Sequence, residues 1–189
     1  MTIHVALLRG INVGGNNKIK MADLRAALAD LGLANVQTYI QSGNILFESA
    51  EDEGVLRDRI EQQIQKVFGF SIKTIIRTAD ELRAIVAGLP FSDELMAEAE
   101  AGEGESLYVT MLLSEPEPER VERLRTFETD EERFVIAGKD VYLLFKQSIR
   151  NSKLAAQVEK LGVLPTTRNW KTMNKLIALA DEMANGKSE

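Results

Sequence analysis

The sequence predicts an α+β protein of two subdomains, an N-terminal ferredoxin-like unit of βαββαβ order and a C-terminal α+β unit of βαββαα order. Three observations predict it. Short apolar strand patterns alternate with amphipathic helix patterns over the first 78 residues. A stretch rich in Glu, Ala and Gly from Ala97 to Glu105 breaks that pattern. Beyond it the order strand, helix, hairpin, helix recurs without an obvious sequence repeat, which reads either as a structural duplication or as a chance recurrence of common α+β units.

In chain order, Ile3 to Leu8 reads as a buried strand, apolar on both faces apart from His4. A glycine-rich loop follows. Met21, Leu24, Leu28 and Leu31 then recur at helical spacing, with Gly32 placed to end the helix. Val36–Gln41 and Asn44–Glu48 form a hairpin around Ser42-Gly43. From Glu51 to Phe68 an amphipathic helix buries Leu56, Ile60, Ile64, Val67 and Phe68 and stops at Gly69. Ile72 to Arg77 is the fourth strand. Right-handed crossovers would make the sheet antiparallel, with both helices on one face.

Thr78 followed by Glu81 is a capping-box signature for a helix ended by Pro90. The segment after Ala101 reads as connector. Leu107–Leu113 starts the second half, Glu115-Pro116-Glu117-Pro118 opens a helix, and Arg133–Ala137 with Asp140–Lys146 flank Gly138-Lys139 as a second hairpin. Ser152 caps a short helix, and a final helix starts at Thr166 or Thr167, buries Trp170, Met173 and Ile177, and frays from Asn185 to Glu189. The expected boundaries are 1–78 for the ferredoxin-like subdomain, 79–104 for a helical and acidic connector, and 105–189 for the second subdomain ending in a long helix.

The chain has no cysteine, which removes disulfides, thiol catalysis and thiolate metal sites. With no signal-peptide pattern and no long apolar run, the expected location is cytoplasmic, away from membranes. The formal net charge of -6 hides an asymmetry. Ser92 to Glu132 holds fourteen acidic residues against three arginines, whereas Lys146 to Lys175 holds seven basic residues against Glu159 alone. Arg9, Lys18, Lys20 and Arg25 make the N-terminus basic as well.

Three stretches carry a family resemblance: Leu8-Arg9-Gly10-Ile11-Asn12-Val13-Gly14-Gly15, Thr38-Tyr39-Ile40-Gln41-Ser42-Gly43-Asn44, and Thr166-Thr167-Arg168-Asn169-Trp170. In combination, order and spacing they resemble the uncharacterised bacterial family called domain of unknown function 1697. The resemblance implies an α+β protein of two subdomains with ferredoxin-like character. It brings no reaction and no catalytic residue.

The first motif supports anion chemistry, because a loop between a strand and a helix can aim backbone amides at a phosphate or carboxylate. It is neither a Walker A loop, which needs Gly-Lys-Ser/Thr at the helix start, nor a Gly-x-Gly-x-x-Gly fingerprint. What remains is a backbone cradle of Gly10, Gly14 and Gly15 with Arg9, Asn12, Asn16 and Lys18 as polar reach. Gln41, Ser42 and Asn44 of the hairpin turn can lie beside it. Thr167, Arg168, Asn169 and Lys171, read as a helix start, are the expected second half of one cationic pocket. Equally simple is a purely architectural loop and a capped helix. Ser42 has no evident base, and His4 inside the first strand reads as structural or exposed and not catalytic, so no nucleophile and no reaction are assigned. No carboxylate cluster suggests a metal, and no motif suggests a cofactor. The rival partner is single-stranded nucleic acid stacked on Tyr39 and Phe47, disfavoured by net charge and by the lack of an RNA-binding signature. An interaction role for the acidic middle is the second rival.

Overall fold

The computed structural model describes residues 1–102 and 104–186, so the last part of the expected frayed tail lies outside the described residues. The chain divides into two compact units, one of Met1–Ala84 together with the chain from Asn174 onward, the other of Ile85–Met173.

The first unit runs β1 (Thr2–Arg9), α1 (Met21–Ala29), β2 (Ala34–Tyr39), β3 (Asn44–Ser49), α2 (Glu53–Phe68), β4 (Lys73–Thr78) and α3 (Ala79–Ala87). Its four strands are paired antiparallel in the order β2-β3-β1-β4, which is the ferredoxin-like arrangement the periodicity predicts. One sheet face carries Ala6, Leu8, Ile45, Phe47 and Ile76. Against them pack Leu24 and Leu28 of α1 and Leu56, Ile60 and Ile64 of α2. Val67, expected in this core, is instead 49% exposed, since the helix is in its last turn there. Asp52 caps α2 by accepting from Val55 N at 3.0 Å, and Gly69 ends it at φ 81°. The capping box is present, with Glu81 N donating to Thr78 Oγ1 at 3.1 Å and Thr78 N to Glu81 Oε2 at 2.8 Å.

The second unit begins within α3 and continues with α4 (Asp93–Glu100), β5 (Leu107–Leu112), α5 (Pro118–Arg125), β6 (Glu132–Ala137), β7 (Asp140–Phe145), α6 (Lys153–Val158), β8 (Pro165–Asn169) and the first turn of α7 (Trp170–Asn185). Its strand order is β6-β7-β5-β8. Under the substitution of β5 for β1, β6 for β2, β7 for β3 and β8 for β4, this is the same topology as the first sheet. The duplication suspected from the element order is therefore more complete than the sequence suggests.

One correction makes it so. Thr166 and Thr167 do not start a helix; they lie in β8, where Thr166 opposes Met111 and Thr167 opposes Thr110 of β5. Two adjacent β-branched residues suit a half-buried pleated edge, and the ladder prevails over the capping reading. A strand thus stands between the last two helices, and α7 starts at Trp170. Asn169 takes the capping role, its Oδ1 accepting from Thr172 N at 2.8 Å. The match to the first unit extends to single residues: Arg77 opposes Val5 as Arg168 opposes Val109, and Thr78 caps α3 as Asn169 caps α7.

Leu112, Leu124, Val141, Leu143, Phe145, Leu154, Val158 and Leu161 form the core between this sheet and helices α5 and α6. Ala99 of α4 packs with Leu107 and Leu144 on the opposite face. Among the described residues no helix is long and apolar enough to cross a membrane.

Candidate functional site

The chain leaves β1 at Arg9 and makes a closed loop by using the left-handed region repeatedly, at Gly10 (φ 71°), Asn12 (54°), Gly14 (58°), Gly15 (82°) and Asn17 (49°). Asn12 N donates to Asn17 O at 3.1 Å and Asn16 N to Val13 O at 3.0 Å, so Val13-Gly14-Gly15-Asn16 forms a tight exposed tip. Asn17 Nδ2 closes the base on Gly10 O at 3.1 Å.

Asn12 is the centre of this loop. Its Oδ1 accepts from Ile19 N at 2.9 Å, while Nδ2 donates to Ile19 O at 3.1 Å and to Gln41 O at 2.8 Å. The last bond ties the loop to the turn between β2 and β3. There Leu8 N donates to Gly43 O at 2.8 Å, and the buried Asn44 donates from Nδ2 to Tyr39 O at 3.0 Å and to Ser42 Oγ at 2.9 Å. Ile40, at φ 49° and 49% exposed, holds a conformation that a β-branched residue rarely takes.

Of the sequence-predicted residues in this unit, Arg9, Gly10, Gly14, Gly15, Asn16, Lys18, Gln41 and Ser42 are exposed. Asn12 and Asn44 spend their side chains on the scaffold. Lys18 makes no ion pair among the described residues. The result is a fixed, solvent-facing surface in which a polar turn adjoins a basic loop.

The other predicted segment belongs to the second unit. Thr167 Oγ1 lies 2.7 Å from Thr110 Oγ1, Asn169 caps α7, and Lys171 Nζ pairs with Glu105 at 2.8 Å, which raises the lysine pKa. Arg168 Nη1 donates to Thr166 Oγ1 at 3.0 Å and Thr167 O at 2.9 Å, and burial lowers its pKa to about 10. At neutral pH the guanidinium therefore remains charged. Hydrogen bonds within the unit occupy Thr167, Asn169 and Lys171.

Phe47, one of the two rings named for the disfavoured nucleic-acid alternative, cannot stack a base. It is fully buried beneath α1 and α2, and Val5, Leu7, Leu46 and Ile75 on the opposite sheet face are buried as well. His4 is 5% exposed and stacks on Phe47 with ring centroids 5.6 Å apart. Neither ring nitrogen has a hydrogen-bond partner among the described residues. Burial pushes the imidazole pKa down, opposed more weakly by the Ser49 backbone and the carboxylates of Glu53 and Glu81. The sign follows directly: the unfolded chain takes up the proton first, so stability falls as pH drops below the ordinary histidine value. Thermal melts of the parent between pH 7.5 and 5 are expected to shift downward more steeply than those of His4→Leu.

The described residues contain no group of three or more His, Asp or Glu placed to hold a metal ion. A cavity of about 440 Å³ lies in the second unit between α5 and α6, lined by side chains that no motif marks in the sequence.

The chain matches none of the curated proteins. Among solved structures it is similar to the conserved bacterial protein SP0830 from Streptococcus pneumoniae, with 28% identity, a TM-score of 0.70, and coverage of 94% of this chain and 97% of that one. The model of the family described as Protein of unknown function (DUF1697) matches residues 1–142, spanning the basic loop and the hairpin turn, and the chain belongs to that family.

Proposed function

We propose that the first unit binds a small anionic or phosphorylated ligand on the loop Arg9–Lys18 and the adjoining turn. Arg9 and Lys18 supply charge, the backbone around Gly14 and Gly15 permits close approach, and Asn16, Gln41 and Ser42 supply polar contacts. One observation carries the reading: the cross-tie of Asn12 to Ile19 and Gln41 fixes an exposed basic loop before any ligand arrives. A loop already ordered loses little further conformational entropy on binding. Calorimetric titration with pyrophosphate tests it. Lys18→Glu is expected to weaken binding about tenfold or more, since it replaces an attraction by a repulsion. Raised salt should weaken the parent as well. Equal affinity in the parent and Lys18→Glu contradicts the proposal.

A further inference from the structure

The duplicated topology treats one place differently in its two copies. In the first unit the helix pair is closed by side chains of the sixteen-residue α2: Arg59 Nη2 donates to Leu31 O at 2.6 Å, and Gln63 Nε2 to Ala27 O at 2.9 Å. In the second unit the equivalent helix α6 has six residues, and the cavity of about 440 Å³ opens beside α5. Its size falls within the range of small-molecule sites. The half-buried Phe127, with the edges of the buried Leu124 and Leu161, gives it apolar surface, and Arg120, Arg123 and Lys160 give it three cations.

Arg120 is held in place. Its Nη1 donates to Lys160 O at 3.3 Å and its Nε lies 3.5 Å from Glu117 Oε2. The guanidinium also lies over Gly162, where an added Cβ would stand 2.7 Å from Arg120 Cζ. Glycine at 162, with φ 80°, thus provides both the turn and the space for this arginine. Of the two carboxylates in the lining, Glu117 is paired with Arg120 and Glu119 lies in the first turn of α5. Arg123 and Lys160 form no ion pair among the described residues, although Arg123 lies inside the acidic segment Ser92 to Glu132.

We infer that the α5–α6 cleft is a binding site for an amphipathic organic anion, an aromatic or branched apolar body bearing one phosphate or carboxylate head. The head meets Arg123 and Lys160 beside the fixed Arg120, and the body covers Leu124, Phe127 and Leu161. Neither half suffices alone, because the apolar surface is small and the cations are open to solvent.

The test is an amide-resolved NMR titration of the ¹⁵N-labelled chain with phenyl phosphate, and with phenol and inorganic phosphate as half-ligands. Phenyl phosphate should shift the amides of Leu124, Phe127 and Leu161 and bind about tenfold or more tighter there than either half-ligand. The pair Arg123→Glu with Lys160→Glu should weaken phenyl phosphate about tenfold or more and leave phenol unchanged. The neutral pair Arg123→Gln with Lys160→Gln provides the same comparison if charge reversal disturbs folding. Both sets change exposed side chains. Shifts confined to residues 10–18, or phenyl phosphate binding no tighter than phenol, or affinity unaltered by both variant pairs, would overturn the inference. Because the shifts are assigned residue by residue, this outcome is read independently of binding at the N-terminal loop.

Discussion

Gly43→Ala is expected to destabilise the first unit by about 3 kcal/mol or more, the sum of an overpacking term and a left-handed backbone term. An added Cβ would stand 2.7 Å from Leu8 Cβ and 3.0 Å from Ile11 Cδ1, both in buried residues with no room to retreat. The backbone at φ 85° resists any residue with a Cβ, and moving it strains the Leu8 N to Gly43 O bond at 2.8 Å. Differential scanning calorimetry should show the affected transition lowered by roughly 6–12 °C on the usual scale of 2–4 °C per kcal/mol. A midpoint within about 2 °C of the parent's, a loss of no more than about 1 kcal/mol on that scale, would mean that the turn is not packed as described.

Asn12→Ala should cost about 4 kcal/mol, for a different reason. Three hydrogen bonds to Ile19 and Gln41 disappear, at about 1 kcal/mol each, and alanine must hold φ 54°. Asn12→Gly removes the bonds and relieves the backbone, so it should recover about 1 kcal/mol of that loss. The ordering parent, then Asn12→Gly, then Asn12→Ala separates the two contributions by urea denaturation. If glycine and alanine were equally damaging, the left-handed conformation would carry no cost.

These two residues also mark how far the sequence could be read. The glycine pattern of residues 10–15 and the Ser42-Gly43 turn identify where the chain reverses, because positive φ leaves a residue-type signature. Nothing local announces that Asn12 reaches Gln41, since that bond depends on how β1 and β3 pair. The helix faces of α1 and α2 are plain from the spacing of Leu24, Leu28, Leu56, Ile60 and Ile64, all of which are buried. Thr166 and Thr167 were ambiguous by nature: threonine suits both a helix cap and a strand, and the pairing with β5 decides it. The cleft of Arg120, Arg123 and Lys160 was invisible for a third reason. Its basic residues lie on α5 and in the turn after α6, separated by a hairpin, and Arg120 and Arg123 are submerged in an acidic composition. That space accompanies the shorter α6, six residues against the sixteen of α2.

The central claim concerns the N-terminal loop, and one measurement addresses it most directly. In a ¹H–¹⁵N NMR titration with pyrophosphate at low salt, the amides of Gly14, Gly15, Asn16, Lys18, Gln41 and Ser42 should shift together along one saturable curve. The same titration on Lys18→Glu should shift them about tenfold less readily. Shifts that never saturate, that fall outside this loop and turn, or that survive Lys18→Glu unchanged would contradict the account and leave the loop as architecture alone.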